Sequence, residues 1–281
     1  MNFDKFSFFL RISIVEDENM NVREKLIYLA LKFNGDYQKI VDTISEEQFP
    51  LDEEELPPVH SEVLTFLDED YPEEFKQHAR APLVLFYKGD ISLIKDRKNN
   101  LAIIGTRHPT QYGLDATEKL VREVGKNVVI VSGLAKGIDK CAHECAMKNN
   151  NKTVAVLGCG INVCYPSENK DLYDQIAKEG LIISEYPDLT PPKPEHFPFR
   201  NRLITMFSNA LLITQAYTRS GTSITANWAL EQGKNVLCVP HQLYHYSLCN
   251  DLIQCGAALV TSGQDVLEWM EVKKDEPIFE N

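Results

Sequence analysis

Between residues 101 and 270 seven short apolar runs recur, and almost every one is followed by a stretch with helical spacing. This alternation restricts the fold more than any other feature. LAIIG (101–105) precedes a helical segment ending near Gly125, and NVVIVSG (127–133) precedes one from Ile138 to about Met147. TVAVLGCG (153–160) is followed by ENKDLYDQIAKEG, and LIISEYP by an arginine-rich loop. ALLITQA (210–216) precedes TSITANWALEQG, NVLCVP (235–240) precedes SLCNDLIQCG, and ALVT precedes SGQDVLEWM. Strands that are apolar throughout must be covered on both faces, and a helix after each strand supplies the crossover that a parallel sheet needs. The pattern predicts a doubly wound, mostly parallel, Rossmann-like α/β domain over about residues 71–270.

The first 75 residues read differently. Val22, Leu26, Leu29, Ala30 and Phe33 follow helical spacing, and after Gly35 so do Tyr37, Ile40, Val41 and Ile44. The acidic, proline-marked FPLDEEELPPVHSE then reads as a linker. A small helical domain over residues 1–70 and a tail over residues 271–281 complete the expected organisation.

Charge follows this division. The chain of 281 residues carries a formal charge of −12, but residues 1–75 hold 19 acids and 6 bases. Residues 76–270 hold 18 acids against 21 bases, so the overall sign says nothing against an anionic ligand of the large domain. The longest obvious apolar run, LVLFY at residues 83–87, is strand-sized and far short of a bilayer span. The N-terminus lacks a basic leader and a small-residue cleavage site, and seven cysteines without paired spacing suit free thiols. A cytoplasmic protein without a membrane segment is expected. Cys141, His143 and Cys145 lie close together, but His143 points off the ridge shared by the cysteines, so no zinc site is expected.

In doubly wound sheets ligands bind beyond the carboxyl ends of the strands, where helix N-termini present free N–H groups. The segments falling there are GTRHPT (105–110), SGLAKGID (132–139), GCG (158–160), the FPFRNR stretch and TRSGTS (218–223). They are rich in glycine or small residues, and four carry a cation, which suits phosphate. A dinucleotide fingerprint fails because Arg107 and Val163 stand where glycines are required, and no Walker A sequence is present. No dinucleotide or other cofactor is expected.

Catalytic constellations are thin. Asp139 and His143 share a helix face, which reads more simply as an aspartate near a helix N-terminus and a histidine packed behind the loop. Glu185 follows a strand and could orient a neighbour. Ser220 and Ser223 resemble donors at a helix start, and no nucleophile elbow exists.

HFPFRNRLITMF (196–207) follows the proline-rich PDLTPPKPE, so it is expected to begin on an exposed loop before a helix. Several phosphate nests in a row beside Phe197, Phe199, Arg200, Asn201 and Arg202 suit a polyanion. A ring that stacks on an unpaired base contributes about 1–3 kcal/mol and favours single strands. Proline at 198 separates the two rings, and one of them is expected to anchor the loop in the core.

The run GTRHPTxYG, VSGLAKGIDxxAH, VAVLGCGINxxYPxEN, LIISEYP, HFPFRNRLI, RSGTSITAxxALEQG and CNDLIQCGAALVTS resembles the DNA-processing protein A family (DprA, also called Smf) over about residues 70–270. Many members carry a small helical, sterile-alpha-motif-like domain before it. The resemblance implies a non-enzymatic protein that binds incoming single-stranded DNA in natural transformation, protects it, loads the RecA recombinase and works as a homodimer. Position by position, the implied DNA-binding residues are Gly105, Thr106 and Arg107; Ser132, Gly133, Lys136 and Gly137; Phe197, Arg200, Asn201 and Arg202; and Arg219, Ser220 and Gly221. Arg107, Lys136, Arg200 and Arg202 are the expected phosphate contacts, and no catalytic or metal residue is implied. The chain departs from the family at His241 and Leu248, where glycines are usual, with Tyr244, His245 and Tyr246 between them. A different class, a phosphoribohydrolase-like Rossmann enzyme, shares a faint likeness in RSGTSITAxxALEQ but leaves the FPFRNR stretch without a role.

Overall fold

The computed structural model describes residues 20–46, 58–78, 80–218, 220–243 and 247–272. Two helices come first, α1 (Val22–Lys32) and α2 (Tyr37–Glu46), at the positions their apolar spacing requires. Asn21 and Glu24 close a reciprocal capping box on α1, an arrangement that contributes about 1 kcal/mol. The acidic run at 52–55 lies outside the described residues.

The strands are β1 (Glu62–Thr65), β2 (Val84–Gly89), β3 (Asn100–Ile104), β4 (Val129–Ser132), β5 (Thr153–Val156), β6 (Leu181–Ser184), β7 (Ala210–Ile213), β8 (Asn235–Cys238) and β9 (Ala258–Leu259). Between them lie α3 (Gln111–Glu123), α4 (Ile138–Lys148), α5 (Lys170–Glu179), α6 (His196–Met206), α7 (Gly221–Glu231), α8 (Leu248–Gln254) and α9 (Gly263–Met270). The nine strands form one sheet in the order β1-β2-β6-β5-β4-β3-β7-β8-β9. β1 and β2 are antiparallel to their neighbours, and the other six pairings are parallel. The doubly wound, mostly parallel sheet read from the sequence is therefore present.

Strand β3 shows why such strands are apolar at every position. Leu101 and Ile103 pack on one face with Leu120 and Val121 of α3 and Ala142 of α4. Ala102 and Ile104 pack on the other with Leu203 and Ile204 of α6 and Ala226 of α7. Successive side chains leave opposite faces of a strand, so both sets must be hydrophobic.

Two expectations need correction. Strand β1 precedes residue 71 yet belongs to the large sheet, and Leu26, Leu29 and Ile44 join the same hydrophobic cluster as Leu85 and Phe86. The helical segment is thus packed onto the sheet and not set apart from it. The FPFRNR stretch is not a loop: His196 already opens α6. Pro198 falls in the first turn, where backbone N–H groups have no intrahelical acceptor, so the proline costs no bond.

Candidate nucleic-acid interface

Strand β3 is followed in space by β4 on one side and by β7 on the other, which makes the β3/β7 boundary the point where the winding reverses. A crevice is expected beyond the carboxyl ends of such a pair. A cleft of about 740 Å³ lies there, lined by the turn after β3, the start of α4, the proline run before α6, α6 itself and the first turn of α7.

The turn after β3 is built without room for side chains. A Cβ on Gly105 would come within 2.6 Å of the Gln215 carbonyl oxygen and of Ile138. Thr106 N–H donates to the Gln215 carbonyl at 2.7 Å, and the Thr106 carbonyl accepts from Ile138 N–H at 3.2 Å. Gly137, at φ +80°, sits so close to this turn that a Cβ would stand 2.4 Å from the Thr106 oxygen. This packing projects Arg107 outward as an exposed cation on the cleft wall.

Arg200 lies on the floor of the cleft and is only 4% exposed. It donates to the carbonyls of Gly133, at 2.9 Å, and Val156. Burial lowers its pKa, and the Asp139 carboxylate opposes that effect. Asp139 accepts from Gly133 N–H at 3.1 Å. Burial raises its pKa, against the pull of Arg200, the Ala135 and Gly133 N–H groups and Arg107. Both groups are held by the β4–α4 turn, so the arginine presents a fixed charge to the cleft.

Phe197 is the ring of the site. Its centroid lies 5.8 Å from the Arg107 guanidinium and 5.9 Å from that of Arg200. Tyr165, itself 45% exposed, stands 5.4 Å away. Gly158 allows the approach, because a Cβ there would be 2.8 Å from the Phe197 ring. Phe199, two residues on, leaves the opposite side of the helix. Its centroid is 5.7 Å from Tyr37 of α2 and 3.8 Å from the Arg202 guanidinium. One ring faces the cleft and one anchors the helix, as the intervening proline suggested.

At the far wall α7 begins with its N-terminus on the cleft. Space around the Gly221 α-carbon is open, and the Ser220 hydroxyl is buried with no hydrogen-bond partner among the described residues. Backbone N–H groups at a helix N-terminus favour an anion. Lys193 in the proline run adds a cation. Arg107, Lys193 and Arg200 thus face Asp139, and the cleft carries a surplus of positive charge.

Of the residues singled out from the sequence, Gly105, Thr106, Arg107, Phe197, Arg200, Asn201, Ser220 and Gly221 line the cleft. Ser132, Gly133 and Gly137 support it from behind; the Ser132 hydroxyl is buried and donates to the Ile103 carbonyl at 2.6 Å. Lys136 points outward and pairs with Glu168 at 2.5 Å. Arg219, Tyr244, His245 and Tyr246 fall outside the described residues. Arg202 must be corrected: it is 1% exposed and bound through two nitrogens to Glu185, so it is no phosphate contact. Glu185 is the orienting carboxylate that its place after β6 suggested.

His143 is likewise a core residue. Its Nδ1 lies 2.7 Å from the Thr153 hydroxyl, and burial lowers its pKa to about 3. The Cys141 and Cys145 sulfurs are 3.8 Å apart, with His143 turned away toward the sheet. Sequence reasoning missed Tyr165 and Lys193 as lining residues; they stand in YPSEN and PPKPE, where spacing alone does not reveal side-chain direction.

Residues 62–271 match the family described as DNA recombination-mediator protein A. The chain is 40% identical over 230 residues to the DNA processing protein DprA of Streptococcus pneumoniae, spanning 80% of this chain and 81% of that one. It is 42% identical over 202 residues to the Bacillus subtilis protein of the same name, over 70% of this chain and 67% of the relative. The crystal structure of the Streptococcus pneumoniae protein superposes with a TM-score of 0.73 at 33% identity, covering 93% of this chain and 97% of that chain. A Helicobacter pylori DNA processing protein A, whose structure is described for its single-stranded DNA binding mode, gives 0.67 at 34% identity over 74% and 95%. With the family match running from β1 to the end of α9, the chain belongs to the DNA recombination-mediator protein A family.

Proposed function

We propose that this protein binds single-stranded DNA without sequence preference, seating the backbone in the cleft beyond β3 and β7. The observation that carries the reading is Phe197, half-buried between the guanidinium groups of Arg107 and Arg200 and beside Tyr165. Cations track phosphates, and rings offer a stacking face that every base can use once it is unpaired. Duplex DNA keeps those faces stacked inside the helix, so the single strand is the better ligand. The relationship to a Helicobacter pylori protein described for its single-stranded DNA binding supports the same ligand.

The finer reading follows from family membership. The bound strand is protected as incoming DNA and handed to the RecA recombinase during transformation and recombination, by a cytoplasmic homodimer that performs no chemistry on it. Among the described residues no helix is long and apolar enough to cross a membrane. Asp139 of the cleft lining is engaged by Gly133 N–H, and His143 lies in the core on the Thr153 hydroxyl.

Fluorescence anisotropy of a labelled oligo-dT strand and a matched duplex, each at two salt concentrations, tests the ligand. Salt-sensitive binding that prefers the single strand is expected, with Arg107→Ala reducing the salt slope by about 0.7. Absence of single-strand binding at low salt would overturn the proposal.

A further inference from the structure

A second group of cations lies at the opposite end of α7 from the cleft. Gly221, Thr222 and Thr225 of this helix line the cleft, and the chain leaves the helix at Glu231 to reach Lys234. Trp228, on the same helix, is half-buried, and its indole N–H donates to the Pro198 carbonyl at 3.3 Å. Pro198 is itself a lining residue. Over the Trp228 ring, at 5.5 Å, lies the guanidinium of Arg80, an exposed residue. Next come His78, Lys234 and Arg97, all half-buried.

These last three are close enough to perturb one another. Burial, and then the neighbouring Arg97 guanidinium, lowers Lys234 to about 8. Burial, Arg97 and Lys234 together lower His78. Glu74 opposes them, but it is largely exposed and already paired with Arg97 at 2.6 Å. Arg97 also donates to the Met206 carbonyl at the end of α6, at 3.1 Å, which fixes it in place. Arg97 and Lys234 are thus packed together on a half-exposed surface beside one carboxylate that Arg97 already engages, while the lowered pKa leaves His78 as an uncharged ring at neutral pH.

We propose that this surface is a second strand-binding subsite. It comprises Arg80 and Trp228 followed by His78, Lys234 and Arg97, and it takes the sugar-phosphate backbone of the strand where it leaves the cleft. The inference rests on the single-strand reading of the cleft. Continuity argues for one ligand across both: Trp228 bonds to Pro198 of the cleft lining, and the eleven residues of α7 run about 16 Å, at 1.5 Å per residue, from the cleft toward Lys234. The chemistry repeats as well, since Trp228 under Arg80 is the same pairing of ring and guanidinium as Phe197 beside Arg107. Base stacking and phosphate neutralisation are both available there, as on other single-strand platforms.

The test compares labelled dT3, short enough to sit in the cleft, with dT20, which must extend past it. In the double variant Arg80→Ala/Lys234→Ala, dT20 binding should weaken and its salt slope should fall by about 1.4, the sum of two lost phosphate contacts on a single strand. Binding of dT3 should not change. A second readout uses Trp269→Phe, which leaves Trp228 as the sole tryptophan of the two in the chain. Its fluorescence should be quenched by dT20 and not by dT3. Unchanged dT20 affinity in the double variant, or an equal loss for dT3 and dT20, would overturn the second subsite. A polyanion-independent role, such as docking an acidic protein segment, would give the first of those results. Failure of the cleft reading is separate: it would show as dT3 binding that ignores Arg107→Ala.

Discussion

Arg202 and Glu185 form a two-pronged ion pair inside the protein, with both nitrogen–oxygen distances at 2.6 Å. The side chains are 1% and 6% exposed. Arg202 spends its Nε on the Arg80 carbonyl at 3.1 Å, and its plane lies against Phe199. The pair therefore ties α6 to the turn after β6 and to the segment before β2. It also holds the helix whose opposite side carries Phe197 and Arg200.

Removing one partner of such a pair leaves a charge buried with no counterion, which costs about 3–5 kcal/mol. Arg202→Ala is expected to lower unfolding stability by that amount in a urea titration. Its single-strand affinity, measured where the variant is still folded, should remain close to that of the parent. A large affinity loss in fully folded Arg202→Ala would return Arg202 to the DNA-contacting set.

Arg202 also shows where sequence reading stops. Arginine at a helix face suits a phosphate and a buried carboxylate equally well, and its partner is seventeen positions away on another element. No local spacing links the two. The strands were legible for the contrary reason: a strand covered on both faces has to be apolar at every position, as Leu101 to Ile104 are. The glycine turns were legible as well, because close backbone approach at Gly105 and Gly137 excludes any side chain. The start of α6 was hidden by Pro198, since proline signals a loop as readily as a helix's first turn. Tyr165 was hidden because its place on the cleft depends on the path of the whole β5–α5 connection.

His143 makes stability depend on acid. Burial, with a lesser contribution from Arg200, lowers its pKa from the ordinary 6.5 to about 3. Above pH 6.5 the ring is neutral in both folded and unfolded chains. As the pH falls below that value the unfolded chain takes up a proton that the folded one refuses, so stability is lost between about 6.5 and 3. The loss amounts to about 1.4 kcal/mol per pH unit at its steepest. In His143→Gln the slope of unfolding free energy between pH 6 and 4 should be shallower by about one proton. An unchanged slope would show that the imidazole does not contribute.

Gly137 combines a positive φ of 80° with a Cβ position 2.4 Å from the Thr106 oxygen. Gly137→Ala must either strain the backbone or push the Thr106–Arg107 turn away. A loss of about 1–3 kcal/mol in stability is expected, together with weaker single-strand binding as Arg107 shifts. If calorimetry gave an unchanged Tm, the turn would be softer than this packing implies.

Phe197 and Phe199 offer the sharpest separation of binding from folding, because they are two residues apart on one helix and face opposite ways. Phe197 stands between two cleft arginines, whereas Phe199 lies on Arg202 and beside Tyr37. Phe197→Ala should cost single-strand binding about 1–3 kcal/mol, the usual contribution of one stacked base, while leaving most of the stability intact. Phe199→Ala should do the reverse, costing about 0.5–3 kcal/mol in stability as a half-buried ring packed on Arg202 and Tyr37, with little change in affinity once folded. Oligo-dT anisotropy and urea unfolding on the same two preparations decide it. Equal effects of both substitutions on affinity would mean that Phe197 only supports the helix and that the bases stack elsewhere.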